Sequence, residues 1–391
     1  MIGAFWFELE SVANRRVFGS RRASWLRIED KCEVTVIWDK ANIKTSRSET
    51  LSVSHLKHAC LEGWNFPFVL SGDSTQGVTG GGSHVRAIYT AKHLDSVRSF
   101  FEKECQIITV STEHKCVLES CYYLEKKGYQ VIYLNVNEEG HINLQELEKH
   151  LEKKRSLVSI MHANNETGIL QPVYEIGNLC KKYKSIFHSD VAQSLSTQEI
   201  DVNKMNIDAL SISSHKIYGP KGIGALYISN NIKNSLRPLI NGGGQEKNLR
   251  SGTLSPALCV GLGEACRILK KNLKKHIKHY KELKSCLLSE LIKSKIDFEI
   301  NGSVDKRIPN NLNIYVKNKI AEQLFNFMPH IALSSGSACT SGTIEKSHVL
   351  SAMNLDNSRI DGSFRISPGR MTTKKDIKKF TECLEKIVLE N

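Results

Sequence analysis

Residues 211–224 read Ser211-Ile-Ser-Ser-His-Lys216-Ile-Tyr-Gly-Pro-Lys-Gly-Ile-Gly224, a short apolar and hydroxyl run that delivers a lysine to the mouth of a glycine-rich turn. A lysine at the end of a buried strand is costly as a free ammonium. Forming a Schiff base with a carbonyl compound removes that cost and makes the side chain a catalyst. Ser213 and His215 beside it suit a phosphate, and the Gly-Pro-x-Gly turn allows close backbone approach. A structural strand followed by a surface lysine is the plainer alternative.

Immediately upstream, Phe187-His-Ser-Asp190-Val-Ala-Gln193 sets a carboxylate after a second apolar run. Paired with a pyridinium nitrogen, such a carboxylate keeps the ring protonated and electron-withdrawing, while Gln193 could donate to a ring hydroxyl. A helix cap is the plainer role for Asp190.

Working outward, β-branched runs alternate with helical spacing. Ile107 to Val110, Gln130 to Leu134, Leu157 to Ile160, Ser185 to Phe187 and Ala209 to Ile212 read as strands, with helices over 114–127, 143–153 and 173–184. This pattern predicts an α/β fold with a mainly parallel sheet, whose ligands bind beyond the carboxyl ends of the strands. Leu269, Leu273, Ile277, Tyr280, Leu283, Leu287 and Leu291 then mark a long amphipathic helix leading to a smaller α/β domain. That domain is expected to hold strands near Phe298 to Ile300 and Asn311 to Val316, and a closing helix from about Thr373.

Composition breaks near residue 105. All four Trp (6, 25, 38 and 64) precede it, and Arg outnumbers Lys 8 to 6 before it but is outnumbered 8 to 32 after it. The expected organisation is therefore 1–105 without an assigned fold, 106–262 as the large domain, and 263–391 as linking helix and small domain. Acidic residues among the N-terminal arginines argue against a transit peptide, and Gly80-Gly81-Gly82 lacks the Lys-Ser/Thr of a phosphate loop.

The eleven Cys include no CxxC pair, which argues against a disulfide framework or zinc ribbon and for a reducing compartment. No resident metal is expected. The formal charge of +13 is spread over lysines dispersed among acids, so no direct nucleic-acid contact is expected, and no apolar run is long enough for a membrane span.

From about 106 to 388 the motifs recur in a familiar order. They are Ser111-Thr-Glu-His114-Lys, Met161-His-Ala-Asn-Asn165-Glu-Thr-Gly168, His188-Ser-Asp190-Val-Ala-Gln193 and Ser213-Ser-His-Lys216, then Gly242-Gly-Gly-Gln-Glu246, Arg250-Ser-Gly-Thr253, Ser334-Ser-Gly-Ser-Ala-Cys339-Thr-Ser341 and Phe364-Arg365-Ile-Ser-Pro-Gly-Arg370. In these the chain resembles cysteine desulfurases of the iron-sulfur-cluster (NifS/IscS-like) type. Those are pyridoxal-phosphate (PLP) enzymes of fold type I, the aspartate-aminotransferase-like fold.

The resemblance implies that Lys216 carries PLP and that His114 stacks on the ring and serves in proton transfer. It implies that Asp190 meets the pyridine nitrogen, Gln193 the ring oxygen, and Ser213 and His215 the phosphate. Thr253 would reach the phosphate of the other subunit of a homodimer. Asn165 and Arg365 would orient the carboxylate of L-cysteine. Cys339, in a loop of small residues, would take the sulfur as a persulfide and could transiently ligate a cluster.

The acceptor implied is an iron-sulfur scaffold or another sulfur-acceptor protein, with sulfur also supplied for tRNA thiolation. The expected setting is a bacterial-type cytoplasm, with a mitochondrion-like compartment as the alternative. Residues 1–105 lack the family's Ala-Thr-Thr-Pro-like opening and its Gly-Ala-Thr-Glu phosphate loop; where that loop is expected stand His84, Val85 and Arg86. An origin outside the family is the expectation for that segment. The tail that relatives use to recruit a scaffold is not matched before Asn391. Two further readings compete: a degenerate desulfurase acting at most as a binding protein, and a basic RNA-binding module.

Overall fold

The computed structural model describes residues 26–29, 33–36, 50–52, 68–72, 105–233, 236, 238, 240–334 and 346–390. The chain divides into two compact units, Met1–Ala59 and Cys60–Asn391. In the first, strands β1 (Leu26–Glu29), β2 (Glu33–Val36) and β3 (Thr50–Ser52) form an antiparallel sheet in that order.

The second unit is built on a seven-stranded sheet. Its strands are β4 (Phe68–Gly72), β5 (Gln106–Val110), β6 (Gln130–Leu134), β7 (Ser156–Ser159), β8 (Ile186–Asp190), β9 (Ala209–Ser213) and β10 (Ile223–Ile228), in the order β4-β10-β9-β8-β7-β5-β6. The pairs from β9 through β8, β7 and β5 to β6 are parallel, whereas β10 runs antiparallel to both β9 and β4. Strands β5, β7, β8, β9 and β10 are buried throughout, as expected of a sheet covered on both faces.

Two of these strands were not legible. Strand β10 lies inside the glycine-rich motif, and Gly224 is there because a Cβ would fall 2.5 Å from the Ile212 carbonyl oxygen of β9. Strand β4 comes from the stretch to which the sequence reading gave no fold. It supplies the outer partner of β10, with Phe68 opposite Tyr227 and Gly72 opposite Ile223.

Helices α1 (Lys115–Lys126), α2 (Leu144–Lys153) and α3 (Val173–Lys182) occupy the expected intervals. Asn143 starts α2 by accepting from the Gln145 and Glu146 amides, which satisfies two of the donors that a helix start leaves open. The amphipathic helix is longer than its leucine pattern suggested. Helix α4 (Pro256–Lys293) has 38 residues, about 57 Å at the α-helical rise, and opens on a proline that needs no amide partner.

Its first third, with Cys259, Leu262, Cys266 and Leu269, packs into the core around Phe187 and Ile212. Its last third, with Tyr280, Leu283, Leu287 and Leu291, packs into a separate core around Ile314 and Phe364. One helix is therefore rooted in both cores, and each fully buried leucine contributes about 1.5–3 kcal/mol.

The smaller core covers an antiparallel sheet of β11 (Phe298–Ile300), β12 (Leu312–Val316) and β13 (Ser363–Ile366). It is closed by α6 (Lys374–Glu390), which buries Ile377, Phe380, Leu384 and Ile387, whereas α5 (His348–Ala352) sends Val349 and Leu350 into the larger core around Phe187. Among the described residues no helix is long and apolar enough to cross a membrane.

Candidate active site

Parallel pairing brings four adjacent strand ends to one edge of the sheet. Thr109 of β5 faces Ser159 of β7, Ser159 faces His188 of β8, and Asp190 faces Ser211 of β9. The segments leaving these ends carry His114, Asn165, Asp190 and Lys216. They are stitched together by His162 N–H donating to the Asp190 carbonyl (3.0 Å), Asn164 Nδ2 to the Thr112 carbonyl (2.8 Å) and Met161 N–H to Glu113 Oε1 (2.5 Å).

Lys216 lies in a 3-10 turn, Ser214–Ile217, directly after β9. The turn is closed by Tyr218 in the left-handed region (φ 64°) and by Gly219, where a Cβ would sit 2.2 Å from Ser214 Oγ. Ser213 Oγ and His215 Nδ1 are 3.0 Å apart, so the hydroxyl and imidazole expected at a phosphate share one corner. Asp190 is the last residue of β8, buried, with Oδ1 accepting from the Ala192 amide at 2.8 Å. Gln193 is half-buried in the turn that follows, and Thr253 is exposed.

His114 is buried and begins α1, its Nδ1 accepting from the Cys116 amide at 3.2 Å. Arg365, on β13, reaches over from the smaller sheet, and its Nη1 donates to the Asn165 carbonyl at 2.5 Å. Arg365 and Asn165 are thus held side by side.

Cys339 lies outside the described residues, but both roots of its loop are defined. The outgoing end, Ser334, accepts from the Arg365 amide at 2.9 Å. The returning end, Ser347, caps α5 and donates from Oγ to Glu166 Oε2 at 2.5 Å, while His348 Nε2 meets the Glu113 carbonyl at 2.8 Å. The segment that bears Cys339 begins and ends at this site.

Glu166 was not singled out from sequence, although it sits next to Asn165. Burial pushes its carboxyl up to about 7, against the opposing pull of the Ser347 hydrogen bond, Arg365 and Lys115. Its amide and the amide and hydroxyl of Thr167 all donate to Asn164 Oδ1, and Gly168 (φ 76°) closes the turn where a Cβ would strike Asn311. Burial lowers both His162 and His188 to about 4, the latter held between Ser159 Oγ and Ser211 Oγ. Tyr218 was also missed; its hydroxyl accepts from the Arg370 amide at 2.8 Å, tying the lysine turn to the smaller domain.

Several buried polar atoms at this edge have no hydrogen-bond partner among the described residues: Ser111 Oγ, Thr112 Oγ1, His162 Nδ1, Asn165 Oδ1, Ser214 Oγ and Arg365 Nε. Buried polar atoms are rarely left so, and their gathering here marks a place that receives a polar ligand. A lysine after a strand, a buried aspartate, a Ser-His corner and an Arg-Asn pair fit an anionic pyridine cofactor together with an amino-acid carboxylate. Among the described residues no His, Cys, Asp and Glu cluster could hold a metal.

Comparison with known proteins agrees with this geometry. The family profile described as aminotransferase class-V matches residues 78–380 and so begins upstream of residue 106. The mitochondrial cysteine desulfurase of Saccharomyces cerevisiae is 46% identical over 285 residues, covering 73% of this chain and 57% of that protein. Cysteine desulfurase IscS of Ehrlichia chaffeensis is 44% identical over 286 residues, covering 73% of this chain and 70% of that one. A solved NifS-like protein superposes with a TM-score of 0.76 at 31% identity, covering 87% of this chain and 88% of that chain. The chain spans less than two thirds of the length of the yeast relative.

Proposed function

The chain belongs to the class-V aminotransferase family, which is PLP-dependent, and from that membership we propose that it is a cysteine desulfurase converting L-cysteine to L-alanine with transfer of sulfur to Cys339. The observation that carries the reading is the convergence of Lys216, Asp190, His114 and Asn165 on four neighbouring strand ends, with Arg365 and both roots of the Cys339 loop beside them.

PLP, once bound, supplies an electron-withdrawing ring able to accept the electron pair released at the substrate Cα. Lys216 would hold it, Asp190 and Gln193 would set the polarity of its ring, His114 would lie against the ring, and Ser213 and His215 would receive its phosphate. Thr253, exposed in one chain, serves the phosphate across a homodimer interface. Arg365 and Asn165 grip the substrate carboxylate, and Lys216 Nζ takes the Cα proton.

The Cys339 thiolate attacks the substrate sulfur. A sulfur-sulfur bond forms, the carbon-sulfur bond breaks, and protonation of the carbon leaves alanine and a Cys339 persulfide. An acceptor protein for iron-sulfur cluster assembly or tRNA thiolation then removes the outer sulfur. All eight described cysteines are free thiols, which suits a reducing setting such as the bacterial cytoplasm or the matrix of a mitochondrion-like compartment.

The test is an absorbance spectrum of the purified chain with PLP and then L-cysteine, with Lys216→Ala and Cys339→Ala as controls. The expected outcome is a cofactor band lost in Lys216→Ala, with alanine and a Cys339 persulfide produced by the parent, sulfide released when a dithiol reductant is added, and no persulfide in Cys339→Ala. A chain that binds no PLP refutes the reading.

A further inference from the structure

We propose that Tyr218 is a positioning residue for substrate binding: it holds the segment that carries Arg365 in register with the turn that carries Lys216. The consequence for substrate affinity rests on the desulfurase reading, whereas the contacts themselves stand apart from it.

Tyr218 ends the lysine turn in the left-handed region, at φ 64°. A bulky side chain seldom adopts that backbone, and residues that do are held there by the contacts around them, most often at functional sites. The contacts of this side chain come from distant parts of the chain. Its hydroxyl accepts from the Arg370 amide at 2.8 Å, and the Arg370 guanidinium lies over its ring, 4.1 Å from the centroid. The Tyr280 hydroxyl, on α4, is 3.5 Å away.

The corner that receives Tyr218 is shaped for it. Gly369 precedes Arg370, and a Cβ there would come within 3.0 Å of the Tyr218 hydroxyl oxygen. Gly369 N–H donates to Thr372 Oγ1 at 2.9 Å, and Thr372 N–H donates back to the Gly369 carbonyl at 3.1 Å, so the corner is closed on itself. Tyr280 is buried in the smaller core with Ile314 and Phe364 and braces the same contact from α4.

Arg365 lies on β13, and Arg370 follows just beyond the end of that strand. Because β13 pairs with β12, with Arg365 opposite Asn313, the position of Arg365 is that of the small sheet. The sheet is tied to the large domain near Asn165, where Arg365 Nη1 and Asn313 Nδ2 donate to the carbonyls of Asn165 and Glu166. It is tied again at the lysine turn, where Tyr218 receives Arg370. The carboxylate grip and the lysine are thereby held at one spacing, and small displacements of a positioning group are costly.

The experiment is steady-state kinetics of the full chain with PLP, L-cysteine and a dithiol reductant, comparing the parent, Tyr218→Phe, Tyr280→Phe and the double variant. Phe keeps the ring under Arg370 and removes only the hydroxyl. Tyr218→Phe should raise KM for L-cysteine about fivefold, the worth of one neutral hydrogen bond, and change kcat by less. It should also melt below the parent, because the buried Tyr280 hydroxyl loses its neighbour. The double variant removes both hydroxyls, so its Tm should return toward that of the parent while KM stays raised. Tyr280→Phe should keep the parent's KM. A parent-like KM in Tyr218→Phe, or a KM that recovers together with Tm in the double variant, overturns the proposal. Hydrogen exchange at the Arg370 amide tests the contact without cofactor and should be faster in Tyr218→Phe than in the parent. Equal exchange overturns the tie, whereas a parent that binds no PLP overturns the desulfurase reading instead.

Discussion

Glu166 shows how one buried carboxyl connects ligand geometry to stability. Its folded-state value, about 7, lies above its ordinary 4.5, so the native protein holds a proton there that the unfolded chain has released. The native state is therefore favoured below the unfolded value and loses that advantage as pH rises from 4.5 to about 7, by roughly 3 kcal/mol in all. Gln keeps an acceptor for Ser347 without the charge. The stability of Glu166→Gln should gain on the parent steadily across that window and stay level above it, as read by urea unfolding at a series of pH values; a pH-independent gap between them refutes the assignment. His162 and His188 act on the other flank. With folded values near 4 against an ordinary 6.5, they withdraw stability as pH falls through that interval. Lys216 and Asp190 were legible because each follows an apolar run in a residue-specific motif. Glu166 was not, because its partner Ser347 is 181 residues away.

At the scale of elements, two helix starts are each capped by a side chain that the sequence names. Asn143 caps α2 and Ser347 caps α5, which places the return of the Cys339 segment under the control of one hydroxyl. Asn143→Ala should cost about 1 kcal/mol in thermal unfolding, with PLP binding unchanged, because α2 supplies none of the site residues. The strands from β5 to β9 were legible from β-branched runs bounded by turn residues. Strand β10 was hidden in a motif that reads as a loop. Strand β4, Phe-Val-Leu-Ser-Gly, was hidden because a five-residue strand carries little periodicity and owes its place to a partner about 150 residues away.

For the whole molecule, the unit Cys60–Asn391 contains the entire sheet, both cores and every described site residue. A chain beginning at Cys60 should stay soluble and keep the Lys216-dependent band. A chain beginning at Asp73 removes β4 and bares the edge of β10, and should aggregate, as unpaired apolar edges do. Light scattering and the cofactor spectrum check both, and a soluble, PLP-binding chain from Asp73 would deny β4 any role in the sheet. The sequence by itself determined the fold class and the family, because periodicity and local motifs are written over a few neighbouring residues. Only the tertiary structure decided which strand closes the sheet and which carboxyl meets the root of the Cys339 loop. Those facts depend on pairings and hydrogen-bond directions that arise when distant segments are packed together.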